Sequence, residues 1–448
     1  MTTFTKNYDG QKGYHLLKKR LLIDGFHLVV DLKKSRGAHI YNQLDKKTYL
    51  DFYAFFGSLP VGFHHPGLKN KGYQKALLEA SQTKVALSDV YSPHFSRFVD
   101  VFDTLALRKQ FKHLFFIEGG ACAVENALKV AFDWKTRLNK KRGSTIEAGQ
   151  IIHFRQSFHG RLGYSISMTD SFDPRKTEYF PKFPWPRVLN PKINVYEEEC
   201  YPLTIEEREA KSLSQIHAVI KQFGPQIAAI IIEPIQSEGG DNHFRPQFLA
   251  ALRNIADEHD ILLIFDEVQT GLGGSGKWWC WENFGIKPDI MTFAKKVQVG
   301  GIAVTDRIDR EGIENCFKIS SRINSTFGGN LTDMVRATRY IEIIEEYDLF
   351  KNVREREKQF LDGFQNLSHR YPLTNIRGLG TLFAFDVPTE ALRKKVLQAA
   401  IEKEFVLLLA SGKRTIRFRP TLSITKEEID EGLTRLDKAL KRVFIDRP

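Results

Sequence analysis

Short apolar runs that alternate with amphipathic stretches constrain the fold of this chain more than any other feature. Each run is almost continuously hydrophobic, which is typical of a strand buried on both faces of a parallel sheet. Helical periodicity separates several of the runs, as in residues 121–138 and 245–260. Strands that alternate with helices predict a wound α/β domain. The six runs are HLFFIE, QIIHFR, IAAIIIE, ILLIFDE, DIMTFA and GGIAV.

The pattern changes after about residue 330. Long helical patterns there lead into short strand-like runs and a closing helix, in which Thr425 and Glu428 predict a capping box. We therefore predict a large α/β domain at residues 75–330, whose mostly parallel sheet is wrapped by helices, and a small α+β domain at residues 331–448. The aromatic-rich residues 1–74 are expected to join the small domain or to wrap around the large one.

Composition and charge narrow the class of protein. The formal net charge is +12, but the 66 Lys and Arg are interleaved with 54 acidic residues, so no basic stripe for nucleic acid is predicted and attraction of small anions is favoured. No apolar run approaches the length of a membrane span. The four scattered cysteines, Cys122, Cys200, Cys280 and Cys316, form no CxxC pair, which favours a reducing, cytoplasmic compartment without structural zinc.

Charged residues follow two of the predicted strands. Asp266 and Glu267 end ILLIFDE, and Lys295 and Lys296 follow DIMTFA. The carboxyl ends of parallel strands share one edge of a sheet, where ligands bind, and burying an unpaired charge is costly. A lysine there can form a Schiff base with an aldehyde cofactor, and an aspartate can keep a heterocyclic nitrogen protonated. From these residues alone, a structural salt bridge is an equally good interpretation.

A third pattern is FIEGGACAVENALK, in which a predicted strand is followed by two glycines and a helix. The free N–H groups and the positive end of the helix dipole then point at one place, which suits a phosphate. A plain tight turn explains the same pattern.

Together these motifs resemble the class III aminotransferases that use pyridoxal phosphate. The resemblance covers nearly the whole chain, because seven motifs occur in the family order. It implies fold type I, pyridoxal 5'-phosphate as cofactor, and a homodimer whose active sites straddle the interface. Within the family the lysine-specific branch fits best, followed by the 4-aminobutyrate and ornithine branches. The motifs are FIEGGACAVENALK, SFHGRLGYS, EPIQSEGGDNHFRP, LLIFDEVQTG, PDIMTFAKK, INSTFGGNLTD and IRFRPTL.

The resemblance also implies roles for individual residues around the cofactor. Asp266 would pair with the pyridine nitrogen, Phe158 and Val268 would pack on the two faces of the ring, and Gln269 would lie beside the ring oxygen. Three further residues would bind the phosphate, the last of them from the partner subunit: Gly120, Ala121 and Thr326.

The covalent lysine has to be chosen between two neighbours. Counting forward from the DEVQ and PD motifs places it at Lys295, whereas counting back from the following glycines places it at Lys296. Neighbouring side chains of an extended segment point to opposite sides, so only one can reach the cofactor. We predict Lys295, because the two forward counts agree.

Arginines indicate the substrates. A guanidinium group grips a carboxylate with two hydrogen bonds, and a dicarboxylate acceptor needs two such groups. By resemblance, Arg161 and Arg417 would hold the two carboxylates, Glu238 would neutralise Arg417 while lysine is bound, and Asn324 would contact substrate; Arg419 is expected to be structural or solvated.

The implied reaction is transfer of the ε-amino group of L-lysine to 2-oxoglutarate. The alternatives are 4-aminobutyrate or ornithine as the donor, or a non-catalytic protein that has kept the fold.

Overall fold

The computed structural model describes residues 9–196 and 203–446. Cys200 lies outside these residues, and the other three cysteines are free thiols. The strands in the described chain are β1 (His39–Tyr41), β2 (Thr48–Asp51), β3 (His113–Ile117), β4 (Gln150–Phe154), β5 (Arg187–Val188), β6 (Ile227–Ile232), β7 (Ile235–Gln236), β8 (Asn242–His243), β9 (Leu262–Asp266), β10 (Ile290–Phe293), β11 (Gly300–Val304), β12 (Thr374–Leu379), β13 (Leu382–Asp386), β14 (Val406–Leu407), β15 (Leu409–Ser411) and β16 (Thr415–Phe418).

Helices connect and cover these strands. No helix of the described chain has the length and apolarity needed to cross a bilayer. The helices are α1 (Gly10–Lys18), α2 (Ala54–Gly57), α3 (Lys71–Ser81), α4 (Pro93–Val101), α5 (Gly120–Lys141), α6 (Gly163–Met168), α7 (Ile205–Phe223), α8 (Pro246–Glu258), α9 (Trp281–Phe284), α10 (Leu331–Glu346), α11 (Leu349–Ser368), α12 (Glu390–Lys403) and α13 (Lys426–Phe444).

The largest sheet has seven strands in the order β3-β11-β10-β9-β6-β4-β5. All pairs among β10, β9, β6, β4 and β5 are parallel. Only β11 runs against its neighbours, β10 and β3. The predicted mostly parallel sheet is therefore confirmed, whereas the prediction that GGIAV forms a parallel strand is wrong. An apolar run reports burial on both faces and carries no information about strand direction.

Alternation along the strands decides which face each polar end group occupies. In β9, Leu263 and Phe265 belong to one hydrophobic cluster, and Leu262 and Ile264 to the cluster on the other face, which includes α5. Because side chains alternate along a strand, Asp266 lies on the α5 side and Glu267 lies on the opposite side. The two acids at this strand end thus have different surroundings.

A second, antiparallel sheet has the order β12-β13-β16-β15 and lies in the C-terminal half. A three-stranded sheet joins the ends of the chain, because β2 pairs in parallel with β14. The closing helix begins with the predicted capping box: Thr425 N donates to Glu428 Oε2 at 2.9 Å and Glu428 N donates to Thr425 Oγ1 at 3.1 Å.

Helix α10 packs on α3 and α4. Its buried side chains, among them Met334 and Ile341, belong to the hydrophobic cluster under the seven-stranded sheet. The domain boundaries at residues 74 and 330 stay a prediction. On the evidence of these clusters, we propose that α10 belongs to the large unit and that the division falls after it.

Candidate active site

Asp266 ends β9 at the centre of the large sheet and is 4% exposed. Its Oδ1 accepts hydrogen bonds from Thr292 Oγ1 at 3.0 Å and from Val268 N at 3.1 Å. Its Oδ2 lies 2.8 Å from Nδ1 of the buried His159. Thr292 is the register partner of Asp266 on β10, so the two side chains share a face. Hydrogen bonds to a charged group contribute about 1.5–3 kcal/mol each, so this carboxylate is firmly held.

Glu267, on the opposite side of the strand end, has a structural role. It accepts hydrogen bonds from Thr270 Oγ1 at 2.6 Å, Cys280 N at 2.9 Å and Trp281 N at 2.8 Å. Burial raises the pKa of this carboxyl to about 7. Its bonds to two backbone N–H groups hold the long turn that follows β9.

A second buried acid supports the segment before Arg161. Glu233 follows β6, and its two carboxylate oxygens accept the backbone N–H groups of Phe158 at 2.8 Å and Ser237 at 3.1 Å. Burial raises the pKa of Glu233 to about 7. This carboxyl therefore links the segment that carries Phe158 and His159 to the sheet edge.

Lys295 lies just past β10, in the short 3-10 turn Lys295–Val297. Its φ of 38° is in the left-handed region, which a residue other than glycine rarely adopts. Its Nζ donates to Gln269 Oε1 at 2.7 Å, and Gln269 Nε2 donates to Phe56 O at 3.0 Å. Burial, and next the positive charge of Arg417, lower the pKa of Lys295 to about 8. About a tenth of an amine with this pKa is neutral, and hence nucleophilic, at pH 7, which is far more than for a lysine with its ordinary pKa.

Lys296 has different surroundings. It is 2% exposed, and its Nζ has no hydrogen-bond partner among the described residues. A Cβ built on Gly274 would lie 3.2 Å from this Nζ, and one on Gly57 would lie 3.5 Å from it. The two lysines lie in a turn and not on the extended segment that we expected, but their amines are still separated. Only Lys295 contacts Gln269, which follows Asp266 by three residues.

The strand–Gly-Gly–helix pattern folds as predicted. Gly119 has a φ of 93° and Gly120 begins α5, with no side chain capping the helix. A Cβ on Gly120 would lie 2.8 Å from Val268 Cγ1, so a larger residue does not fit here without displacing Val268. One on Gly160 would lie 2.6 Å from Ala121 Cβ. The helix N-terminus therefore lies against both the Val268 turn and the segment after His159.

Two arginines on and after β16 differ sharply. Arg419 is fully buried and pairs with Asp241, which shows that it is structural and not solvated. Arg417 is also buried, but its Nε has no hydrogen-bond partner in the described chain. Burial, and next the charge of Arg419, lower the pKa of Arg417 to about 10, so it remains a cation near neutral pH. A buried guanidinium without a carboxylate partner is suited to bind one.

Comparison with known proteins decides the family. Residues 24–440 match the model of the family described as aminotransferase class III. The protein is a class III aminotransferase. The predicted family, fold class and enzyme class are thereby confirmed.

Individual relatives refine this result. The aminotransferase is 40% identical over 440 residues to L-lysine-epsilon aminotransferase of Streptomyces clavuligerus, covering 98% of this chain and 96% of the relative. It is 31% identical to mitochondrial 4-aminobutyrate aminotransferase of Homo sapiens, covering 92% of this chain and 85% of the relative. The solved structure of lysine aminotransferase from M. tuberculosis in the internal aldimine form superposes with a TM-score of 0.93 at 40% identity, covering 97% of this chain and all of the other.

The cofactor of class III aminotransferases is pyridoxal phosphate, which confirms the predicted cofactor. The residues of this aminotransferase fit it. Lys295 supplies a buried amine with a pKa of about 8, and Asp266 supplies a fixed carboxylate. The start of α5 offers backbone N–H groups for a phosphate at a position where a Cβ would collide with Val268.

Three predicted residues of the aminotransferase lie on the surface of the single chain. Arg161 is exposed. Asn324 is exposed, and its Oδ1 accepts from Ser325 N at 2.7 Å. Thr326 is exposed, and its carbonyl oxygen accepts from Ser88 Oγ at 3.1 Å. None of these contacts joins them to the Lys295 cluster, so their roles stay predictions.

The expected ion pair between Glu238 and Arg417 is not the arrangement found. Glu238 Oε1 accepts from Ser171 Oγ at 2.8 Å and pairs with Lys176 Nζ. Lys176 is the cation within ion-pair distance of Glu238, and its side chain is 32% exposed, whereas Arg417 lies on the buried strand β16. The predicted role of Glu238 remains a prediction.

Sequence reasoning missed His159 and Glu233. Both lie in motifs that we singled out, SFHGRLGYS and EPIQSEGG. The sequence position of Glu233 could have identified it, because Glu233 directly follows an apolar run, just as Asp266 and Glu267 stand at the end of another. An acid at a third strand end of the same sheet edge predicts a further member of the site.

Proposed function

We propose that this aminotransferase transfers the ε-amino group of L-lysine to 2-oxoglutarate, giving 2-aminoadipate 6-semialdehyde and L-glutamate. The observation that carries the proposal is the 40% identity to L-lysine-epsilon aminotransferase over 98% of the chain, against 31% to 4-aminobutyrate aminotransferase. The lysine-like motifs support it, as does Arg417, whose buried Nε has no hydrogen-bond partner among the described residues.

Pyridoxal phosphate, when bound, supplies an aldehyde and a ring that accepts electron density from the carbon bearing the amine. Lys295 would hold the cofactor through its aldehyde carbon. As a free amine it would be the base that removes the proton from the substrate carbon bearing the reacting amine and delivers it to the former aldehyde carbon. Asp266 would keep a proton on the ring nitrogen, and His159 and Thr292 hold Asp266 in place. Gln269 orients the Lys295 amine through its Oε1.

Two arginines divide the substrate carboxylates. We propose that Arg417 binds the carboxylate next to the reacting carbon of 2-oxoglutarate, and that Arg161 binds the distant one. For L-lysine, whose terminal amine reacts, the only carboxylate lies at the Arg161 end, with Asn324 as a further contact. Phe158 and Val268 would pack against the ring, and Gly120 and Ala121 would bind the phosphate through their N–H groups.

The experiment uses L-lysine labelled with ¹⁵N at the ε position and 2-oxoglutarate, with mass spectrometry of the glutamate formed. Labelled glutamate is expected. Unlabelled glutamate would show transfer of the α-amino group and contradict the proposal. L-Ornithine and 4-aminobutyrate are assayed in parallel, and a higher kcat/KM for either would replace lysine as the donor. The Lys295→Ala variant is the blank.

We further propose a cytoplasmic homodimer in which Thr326 reaches the cofactor phosphate of the other subunit. Exposure of Thr326 on the single chain supports this arrangement. The test mixes Thr326→Ala chains with Lys295→Ala chains, each of low activity alone. If Thr326 acts across the interface, a mixed dimer contains one intact site and activity returns. If it acts within its own chain, no intact site forms and activity stays low.

A further inference from the structure

The carboxylate of Glu238 is paired with Lys176 and not with the buried Arg417. Its backbone is fixed, because Gly412 N donates to Glu238 O at 2.9 Å. Its Oε1 accepts from Ser171 Oγ at 2.8 Å and is paired with Lys176 Nζ. Its Oε2 is buried and has no hydrogen-bond partner among the residues of the described ranges. Half of this carboxylate is therefore satisfied, and the other half is available.

Arg417 is also incompletely paired. The two acids whose charges act most on it, Asp241 and Glu238, are paired elsewhere, with Arg419 and Lys176. Arg417 Nε is buried without a hydrogen-bond partner in the described chain. Glu238 is hydrogen-bonded through its carbonyl oxygen to Ser411 and Gly412 at the end of β15, the strand that pairs with β16, which carries Arg417. The two side chains therefore belong to neighbouring parts of the site, and both are incompletely paired.

The surroundings of Lys176 favour its ion pair with Glu238 over a contact between Glu238 and Arg417. It ends the 3-10 turn Pro174–Lys176, which Asp173 caps by accepting from Arg175 N at 3.3 Å. Its Nζ lies 5.9 Å from the centroid of the Phe158 ring, at the edge of the range for a cation–π contact. The ammonium thus has both an anion and an aromatic face to bind, next to the residue proposed to stack on the cofactor.

We propose that Lys176 and Ser171 form a dock for the Glu238 carboxylate that leaves Arg417 free for the α-carboxylate of the acceptor. The inference rests on the proposed roles of Arg417 and 2-oxoglutarate. Lys176 is a positioning residue, because it acts on substrate only through Glu238. Without the dock, Glu238 turns to Arg417 and competes with the incoming carboxylate, whereas a donor whose reacting end lacks a carboxylate meets no such competition.

The test measures the two half-reactions separately by stopped-flow absorbance of the bound cofactor, with L-lysine and with 2-oxoglutarate. In Lys176→Met, the apparent dissociation constant of 2-oxoglutarate is expected to rise about five- to tenfold, the size of one partly exposed charge-assisted hydrogen bond. The lysine half-reaction is expected to stay within about twofold of the unmodified enzyme, since no hydrogen bond to it is lost. Lys176→Arg restores the dock. Lys182→Met, which removes an exposed positive charge from the same segment, is the matched control.

A double variant decides whether Lys176 acts through Glu238. In a Glu238→Gln background the carboxylate charge is already gone, so Lys176→Met is expected to add no further loss of 2-oxoglutarate affinity. An equal loss in both backgrounds, an equal loss in both half-reactions, or no loss at all would overturn the dock. The acceptor half-reaction is informative with any amine donor that loads the cofactor, so failure of L-lysine as donor is a separate outcome.

Discussion

The two ends of the active site are built differently. At the ring end, which consists of Asp266, His159 and Thr292, both carboxylate oxygens of Asp266 accept hydrogen bonds from buried neighbours, while His159 Nε2 lacks a hydrogen-bond partner among the described residues. At the carboxylate end, which consists of Arg417, Glu238 and Lys176, Arg417 Nε and Glu238 Oε2 lack hydrogen-bond partners within the described chain. Elements of regular structure support both ends, since Asp266 ends β9 and Arg417 lies on β16.

The difference follows from what each end has to do. A group that holds the ring nitrogen serves both half-reactions identically, so a fixed electrostatic partner is best. The carboxylate end meets two substrates in turn, of which only 2-oxoglutarate presents a carboxylate beside the reacting carbon. Ion pairs that can exchange partners at a small free-energy cost are suited to a site that binds these two substrates in turn.

The largest effect is expected from the adjacent lysines. Lys295→Ala should lower kcat by about 10³-fold or more, because general acid–base catalysis alone contributes 10²–10⁴-fold and the covalent anchor is also lost. Lys296→Met keeps the volume of a residue whose amine has no partner in the described chain, and should keep kcat within about tenfold. Borohydride reduction and peptide mass spectrometry identify the modified lysine. Cofactor attached to Lys296 would reverse the assignment.

The second largest effect is expected at Arg419, whose replacement should lower stability, whereas replacement of Arg417 should weaken substrate binding. Arg419→Met leaves Asp241 buried and uncompensated, so we expect a loss of about 3–5 kcal/mol in the free energy of unfolding. Arg417→Met breaks no such pair and should leave the thermal midpoint nearly unchanged, while KM for 2-oxoglutarate rises roughly 10–100-fold. Thermal unfolding and steady-state kinetics measure the two. Adding Asp241→Asn to Arg419→Met should recover part of the stability; no recovery would mean that the ion pair is not the cause.

The sequence predicted the sheet and its catalytic edge better than it predicted the carboxylate end. Continuous apolar runs locate β6, β9 and β10, and the edge rule places Asp266 and Lys295 together, because both follow from local pattern and general topology. The antiparallel direction of β11 does not follow, since burial on both faces is the same for either direction. The structure also packs α10 against α3 and α4, helices that lie more than 200 residues earlier in the chain, and no local pattern indicates these contacts.

Side-chain partners at the carboxylate end depend on segments far apart in sequence. Lys176 and Glu238 are separated by 62 residues, and no spacing rule relates them. The resemblance supplied the pair of Glu238 and Arg417, whereas the structure pairs Glu238 with Lys176. His159 was missed for the same reason, since its contact with Asp266 spans 107 residues.

A smaller effect is expected at His159. His159→Leu removes a hydrogen bond to a charged carboxylate, so kcat should fall roughly 10–100-fold, while His159→Asn can place an N–H near the former Nδ1 and should lose less. The comparison is made against Asp266→Asn, which removes the charge itself and is expected to lose more than either. Kinetics with L-lysine and 2-oxoglutarate measure all three. If the rates of the lysine and 2-oxoglutarate half-reactions do not fall by similar factors, the ring end does not serve the two half-reactions equally.

The smallest effect couples the two ends through pH. Capture of added cofactor by the apo-protein needs the neutral amine of Lys295, whose pKa is lowered to about 8 by burial and next by the charge of Arg417. Below pH 8 the neutral fraction, and with it the capture rate, should fall about tenfold per pH unit. Arg417→Met removes a positive charge that disfavours the ammonium form, so the pKa rises and the midpoint moves to higher pH. Ionisation of the free cofactor is the same for every variant and cancels in the comparison, and Lys182→Met, an exposed charge, controls for a general change in potential. An unmoved midpoint in Arg417→Met would show that the carboxylate end does not set the reactivity of the lysine at the ring end, and the two ends would then be independent.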